Sequence, residues 1–185
     1  MRQRQCGDDA MKWIFTSLLL TLFAATPAPG QEKLPPGIRI HATGPAPDFE
    51  LPDIDGATTR LSGLRGQWVF LHFWASWCGP CRKEMPAIQR LSERVDAGRL
   101  RILLVNTAED EDTIFSFLAG AAPDLESLMD ADGEVTETWK PRGLPATYLI
   151  DPAGQVRYQA LGGRPWDEPP WLEFVESLPA APARN

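Results

Sequence analysis

The sequence predicts an α/β domain, a mixed β-sheet flanked by helices with an added N-terminal β-hairpin. Three observations carry that prediction. Residues 67–74 (Gln-Trp-Val-Phe-Leu-His-Phe-Trp) form a nearly continuous apolar run, which suits a strand buried on both faces. Residues 79–97 place Met85, Ile88, Leu91 and Val95 at spacings of three and four, giving a helix with one buried face. Residues 146–150 and 155–161 read as two strands joined by Asp151-Pro-Ala-Gly154, an antiparallel hairpin.

In chain order, residues 13–25 come first as an uncharged stretch led by Lys12. It is shorter than the roughly 20 residues that span a bilayer and has the length of a signal-peptide core. Residues 1–30 are therefore expected to be a signal peptide or membrane anchor, placing the folded part outside the cytoplasm. Met11 offers a cleaner start than Met1, and Ala28 and Gly30 supply the small residues of a cleavage site before Gln31. Residues 31–45, rich in proline and glycine without periodicity, read as a linker or extended lead-in, with the domain at 46–180. Residues 49–51 and 58–61 flank Asp55-Gly56, a strong hairpin signal. After the apolar strand, Pro80 sits where a first helical turn needs no N–H, and Pro86 is expected to bend the same helix. A buried strand at 101–106, a helix at 111–118, a short strand at 125–129 and a short helix at 134–139 follow. A helix at 171–178 closes the chain. A mixed sheet covered on both sides satisfies this order of elements.

The 185 residues carry 18 Lys and Arg against 25 Asp and Glu, a net charge of -7. That balance argues against nucleic acid, whose phosphates call for clustered basic residues. Of three cysteines, Cys6 lies in the targeting segment, so an exported chain retains Cys78 and Cys81 alone. One Cys-x-x-Cys pair in an exported chain is either a local structural disulfide or a redox centre. Cys78 stands where the buried strand gives way to a helix, facing the unpaired N–H groups of the first turn. That environment stabilises a thiolate, and makes Cys78 the expected nucleophile. Cys81, one turn deeper, is placed to resolve a mixed disulfide.

The segment Phe73-Trp-Ala-Ser-Trp-Cys-Gly-Pro-Cys-Arg-Lys-Glu-Met-Pro86 resembles the active site of the thioredoxin superfamily, and most of all its TlpA/ResA-like branch of exported thiol-disulfide oxidoreductases. Gly44-Pro-Ala-Pro-Asp-Phe49, Leu61-Ser-Gly-Leu-Arg-Gly66 and Gly143-Leu-Pro-Ala-Thr-Tyr-Leu-Ile-Asp151 are similar to that branch too, so the resemblance spans residues 44–178. It implies a thioredoxin-like fold. It also implies that Pro145 is a cis-proline packed against the disulfide, leaving the Leu144 backbone to pair with a substrate strand. Read without the resemblance, Pro145 is an ordinary strand-initiating proline.

Glu84, three residues after Cys81 on the same helix face, matches a glutamate that the branch links to proton handling at the cysteines. The plain alternative is a solvated helix carboxylate. His72 occupies the place where thioredoxins carry a buried acid; it is either a proton acceptor for Cys81, with an ordinary pKa of about 6.5, or a hydrogen-bonded core histidine. Trp74 and Trp77 are expected to form an apolar rim for a client, whereas Trp68, Trp139, Trp166 and Trp171 are expected to pack.

The resemblance implies no cofactor and no metal, disulfide-containing client proteins, and a membrane thiol-disulfide electron donor. Contact with the membrane itself is expected only through the N-terminal anchor. Gly-Pro between the cysteines matches the reducing thioredoxins, near about -270 mV. Cytochrome c maturation is the role implied, although Lys140-Pro-Arg-Gly-Leu144 lacks the acidic loop of the specialised maturation proteins. A copper(I) metallochaperone on the same fold is the alternative, since soft thiolates suit copper(I). The copper carriers, however, space their cysteines by three residues and add a distant histidine, and no histidine follows His72. Structural zinc wants four ligands. A peroxidase of the peroxiredoxin type keeps Thr or Ser where Ala75 stands.

Overall fold

The strand read from residues 67–74 is the middle of the sheet. The computed structural model describes residues 34–41 and 44–180. The expected signal peptide or anchor at 1–30, with Cys6, lies outside the described residues. Every residue of β4 (Trp68–Trp74) is buried, and it pairs in parallel with β5 (Leu100–Thr107) and antiparallel with β7 (Ala146–Ile150). Outward from these lie β6 (Ser127–Asp130) beside β5, and β8 (Val156–Leu161) beside β7. With β1 (Ile38–Ile40) at one edge, the sheet order is β1-β8-β7-β4-β5-β6.

The first strand corrects the linker reading of residues 31–45. β1 (Ile38–Ile40) pairs antiparallel with β8, Ile38 opposite Ala160, so the sheet begins before residue 46. Three residues are too few for any alternation to register between prolines and glycines; pairing with β8 supplies what local sequence does not. The expected hairpin forms its own two-stranded sheet from β2 (Glu50–Pro52) and β3 (Thr58–Arg60). Asp53 Oδ1 accepts the backbone N–H groups of Asp55 and Ala57 at 2.9 and 2.8 Å, and Gly56 takes the positive φ of the turn.

The helices α1 (Gly79–Arg94), α2 (Glu111–Ala121), α3 (Glu134–Trp139) and α4 (Trp171–Ser177) fall close to the expected spans. α1 stops at Arg94, short of residue 97, and runs through Pro86 as one helix. Alternation along β4 divides the core. Trp68, Phe70 and Trp74 face Met85, Ile88 and Leu91 of α1, Ile114 and Leu118 of α2, and Leu172, Phe174 and Val175 of α4. Val69, Leu71 and Phe73 face the opposite layer, with Leu51 of the hairpin, Trp139 of α3 and Tyr148. Each buried aliphatic or aromatic side chain here contributes about 1.5–3 kcal/mol of hydrophobic stabilisation. No helix among the described residues is long and apolar enough to cross a membrane.

Candidate active site

The carboxyl end of β4 and the first turn of α1 place the two cysteines. Cys78 is the N-cap of α1, in extended backbone conformation, and its sulfur accepts the Cys81 N–H at 3.2 Å. The sulfur thus fills the role a serine or aspartate oxygen usually plays at a helix start, and the same donor faces it when it carries negative charge. Cys78 and Cys81 are joined in a disulfide with Cα atoms 5.2 Å apart. Cys81 is fully buried and Cys78 is 5% exposed. The first sulfur is therefore the one nearer to a partner.

Glu84 is withdrawn from water, at 3% exposure. Its Oε1 accepts the indole N–H of Trp166, and its Oε2 has no hydrogen-bond partner. Burial pushes the Glu84 pKa up to about 8, against the Trp166 indole and the backbone and guanidinium of Arg164, which favour the charged form. At neutral pH the group holds a proton, and with Oε1 accepting from the indole that proton belongs on Oε2. Glu84 lines a groove of about 610 Å³ together with Pro80, Lys83, Gly163 and Arg164. A Cβ on Gly163 would stand 3.4 Å from the Pro80 carbonyl oxygen and 3.6 Å from Glu84 Oε2, so a side chain there would sit in contact with the acid.

His72 lies on the α1-facing side of β4, stacked near Phe70 with ring centroids 6.1 Å apart. Nδ1 meets Thr147 Oγ1 at 2.9 Å across the β4–β7 register, and Nε2 is buried without a partner. Burial pushes its pKa down to about 3, so the ring is neutral near pH 6.5, where the sequence reading expects it to titrate. The geometry is that of a hydrogen-bonded core histidine, and its pKa departs from the ordinary value.

Leu144–Pro145 is a cis peptide bond, and the first paired residue of β7 is Ala146. Trp77 is 68% exposed beside Cys78. Trp74 corrects the expected rim: it is fully buried, its indole donating to Ser127 Oγ at 2.9 Å, because alternation along β4 turns it into the core. Trp166, expected only to pack, also carries the hydrogen bond to Glu84. Sequence reasoning missed one acid entirely. Glu109 accepts the Ser76 N–H at 2.7 Å, the Ser76 hydroxyl at 2.5 Å and the Asn106 side-chain amide at 2.7 Å. A signal existed, since Asn106 lies near the carboxyl end of β5 and Glu109 just beyond it, next to the strand end that leads to the cysteines. Among the described residues, no group of three or more His, Cys, Asp or Glu is arranged to hold a metal ion.

The fold that carries the Cys78–Cys81 disulfide at the start of α1 is shared with known proteins. The family model described as AhpC/TSA family matches residues 42–159. The chain belongs to the AhpC/TSA family. It is 34% identical over 111 residues to the thiol-disulfide oxidoreductase ResA of Bacillus subtilis, covering 60% of this chain and 62% of that protein. With ResA of Oceanobacillus iheyensis it shares 33% over 151 residues, covering 78% of this chain and 79% of the relative. The crystal structure of a candidate thiol:disulfide interchange protein DsbE from Chlorobium tepidum is similar, with a TM-score of 0.65 and 32% identity. That match covers 72% of this chain and 94% of the other. The TlpA/ResA-like resemblance and the thioredoxin-like fold read from the sequence both stand.

Proposed function

We propose that this protein is an exported thiol-disulfide oxidoreductase that reduces disulfides in extracytoplasmic client proteins. The observation that carries the reading is the Cys78–Cys81 disulfide at the start of α1, its outer sulfur at the helix N-cap and its inner one sealed in the core. In the reduced protein the Cys78 thiolate attacks one sulfur of a client disulfide, forming a mixed disulfide and releasing a client thiolate. Cys81 then attacks Cys78 Sγ and displaces the second client thiolate. Two electrons pass to the client, and the Cys78–Cys81 disulfide is left behind. A membrane thiol-disulfide electron donor restores the dithiol.

Glu84 handles protons in this cycle: its Oε2 proton faces the groove and neutralises a departing thiolate, so this assistance declines as pH rises through about 8. The Leu144 backbone ahead of Pro145 and the exposed face of Trp77 receive the client chain. His72 holds Thr147 as a neutral ring on the cysteine side of β4. The uncharged segment at 13–25 supports export, and the reducing direction rests on Gly79-Pro80 between the cysteines. Reduction of haem-attachment cysteines in cytochrome c maturation is the process that fits a reductant in this compartment.

The test is insulin reduction with dithiothreitol as electron source. The purified protein should accelerate it and Cys78→Ser should return the rate to background; an unchanged rate in that variant would remove the enzymatic reading. Cys81→Ser should trap clients as mixed disulfides on Cys78, identifiable by mass spectrometry. A trap that stays empty while the wild type binds copper(I) tightly would favour a metallochaperone.

A further inference from the structure

Residues 75–77 connect the end of β4 to Cys78, and an acid from a different element holds them. Glu109 sits in the connection between β5 and α2. Its two carboxylate oxygens take up both the N–H and the hydroxyl of Ser76, two residues ahead of Cys78, and the Asn106 amide completes the set. The acid is itself held in place. Ala108, just before it, adopts a left-handed φ of 56°, and its N–H donates to the Asp130 carbonyl oxygen at 2.9 Å. Left-handed backbone costs a non-glycine residue about 1–2 kcal/mol, so its surroundings must impose it. Asp130 is fully buried, and its carboxylate accepts the N–H of Val135 and both the N–H and hydroxyl of Thr136. Two sets of hydrogen bonds, one on Asp130 and one on Glu109, joined through the Ala108–Glu109 backbone, therefore connect the start of α3 and β6 to the turn that leads to Cys78.

We propose that Glu109 is a positioning residue for disulfide exchange, clamping the Ser76 turn so that Cys78 is held over Cys81 whether or not the two sulfurs are bonded. The inference rests on Cys78 and Cys81 as the exchange pair proposed above. Closing an intramolecular disulfide measures the effective concentration of one thiol at the other, and that concentration falls when one partner gains freedom. Cys81 is fixed by α1, so the freedom that matters is that of the turn before Cys78. With the clamp loosened, the dithiol gains conformations that the disulfide lacks, and the pair becomes easier to reduce.

The experiment equilibrates the full-length protein with glutathione redox buffers and reads the ratio of disulfide to dithiol, which requires no client. Glu109→Gln keeps the shape but leaves one acceptor oxygen in place of two and removes the negative charge that strengthens all three bonds. It should lower the equilibrium constant for ring closure about tenfold, a potential about 30 mV less negative. Ser76→Ala, which keeps the backbone bond and loses the hydroxyl bond, should lower it about threefold, and the double variant should fall short of the product of the two. Glu111→Gln, an exposed acid two residues on, should leave the constant unchanged. A Glu109→Gln constant within about twofold of wild type, or an equal shift in Glu111→Gln, overturns the proposal. Should Glu109→Gln not fold, an unchanged constant in Ser76→Ala overturns it instead. Failure of the wild type in insulin reduction would instead count against the proposed function and leave this reading of the clamp in place.

Discussion

Glu84 and His72 are both withdrawn from water in the α1-facing layer that holds Cys81, yet their protons behave oppositely. The acid keeps a proton up to about pH 8, and the imidazole refuses one down to about pH 3. Burial disfavours the charged form of each, so both are neutral at working pH for one physical reason. They differ in what surrounds the unpartnered atom. Glu84 Oε2 lies along the groove beside Gly163, whereas His72 Nε2 is enclosed within the sheet. Burial sets the charge of both, and in the cycle proposed above it is Glu84, beside the groove, that trades a proton.

The comparison is sharpest in the dependence of stability on pH. The unfolded chain protonates His72 below about 6.5 and the fold does not, so stability drops as pH falls from 6.5 toward 3. The unfolded chain ionises Glu84 above about 4.5 while the fold holds the proton, so stability drops as pH rises from 4.5 to 8. Between 4.5 and 6.5 the two slopes cancel. His72→Leu should remove its acid limb, worth up to roughly 4 kcal/mol near pH 3 relative to wild type in urea unfolding. If the variant tracks the wild type across that range, the imidazole is not the buried neutral group described above.

The next effect is kinetic. Glu84→Gln should slow insulin reduction about a hundredfold at neutral pH and abolish the decline through pH 8, whereas His72→Leu should leave that decline in place. Equal pH profiles for the two variants would break the distinction between open and enclosed groups. The smallest effect belongs to Gly163→Ala. Its methyl would meet Glu84 Oε2 at ordinary contact distance, changing stability by less than about 0.5 kcal/mol. By adding apolar surface beside the acid it should move the Glu84 titration, followed by carbon NMR of the carboxyl, to higher pH.

Much of this site was legible in the sequence because its signals are local. The apolar run of β4, the heptad-like spacing of α1 and the Asp-Gly turn each declare themselves within a few residues, and the cysteine pair falls between two of them. The missed features join residues far apart. Trp166 reaches Glu84 across 82 positions and Ser76 reaches Glu109 across 33, with no periodicity to connect either pair. Trp74 failed for a related reason, since its proximity to Cys78 in sequence says nothing about which face of a fully buried strand it occupies. The lowered pKa of His72 was not legible either, because burial is a property of the assembled layer.

The short strand β1 has a consequence for how the protein behaves in a crowded compartment. A sheet built from apolar strands such as β4 and β7 is an aggregation hazard wherever an edge stays open to a second chain. On one side β1 occupies the outer face of β8 with three residues, among them exposed Arg39. On the other, the hairpin sends Asp53 to bridge Leu128 of β6. The two additions cover the borders of the sheet formed by β8 and β6.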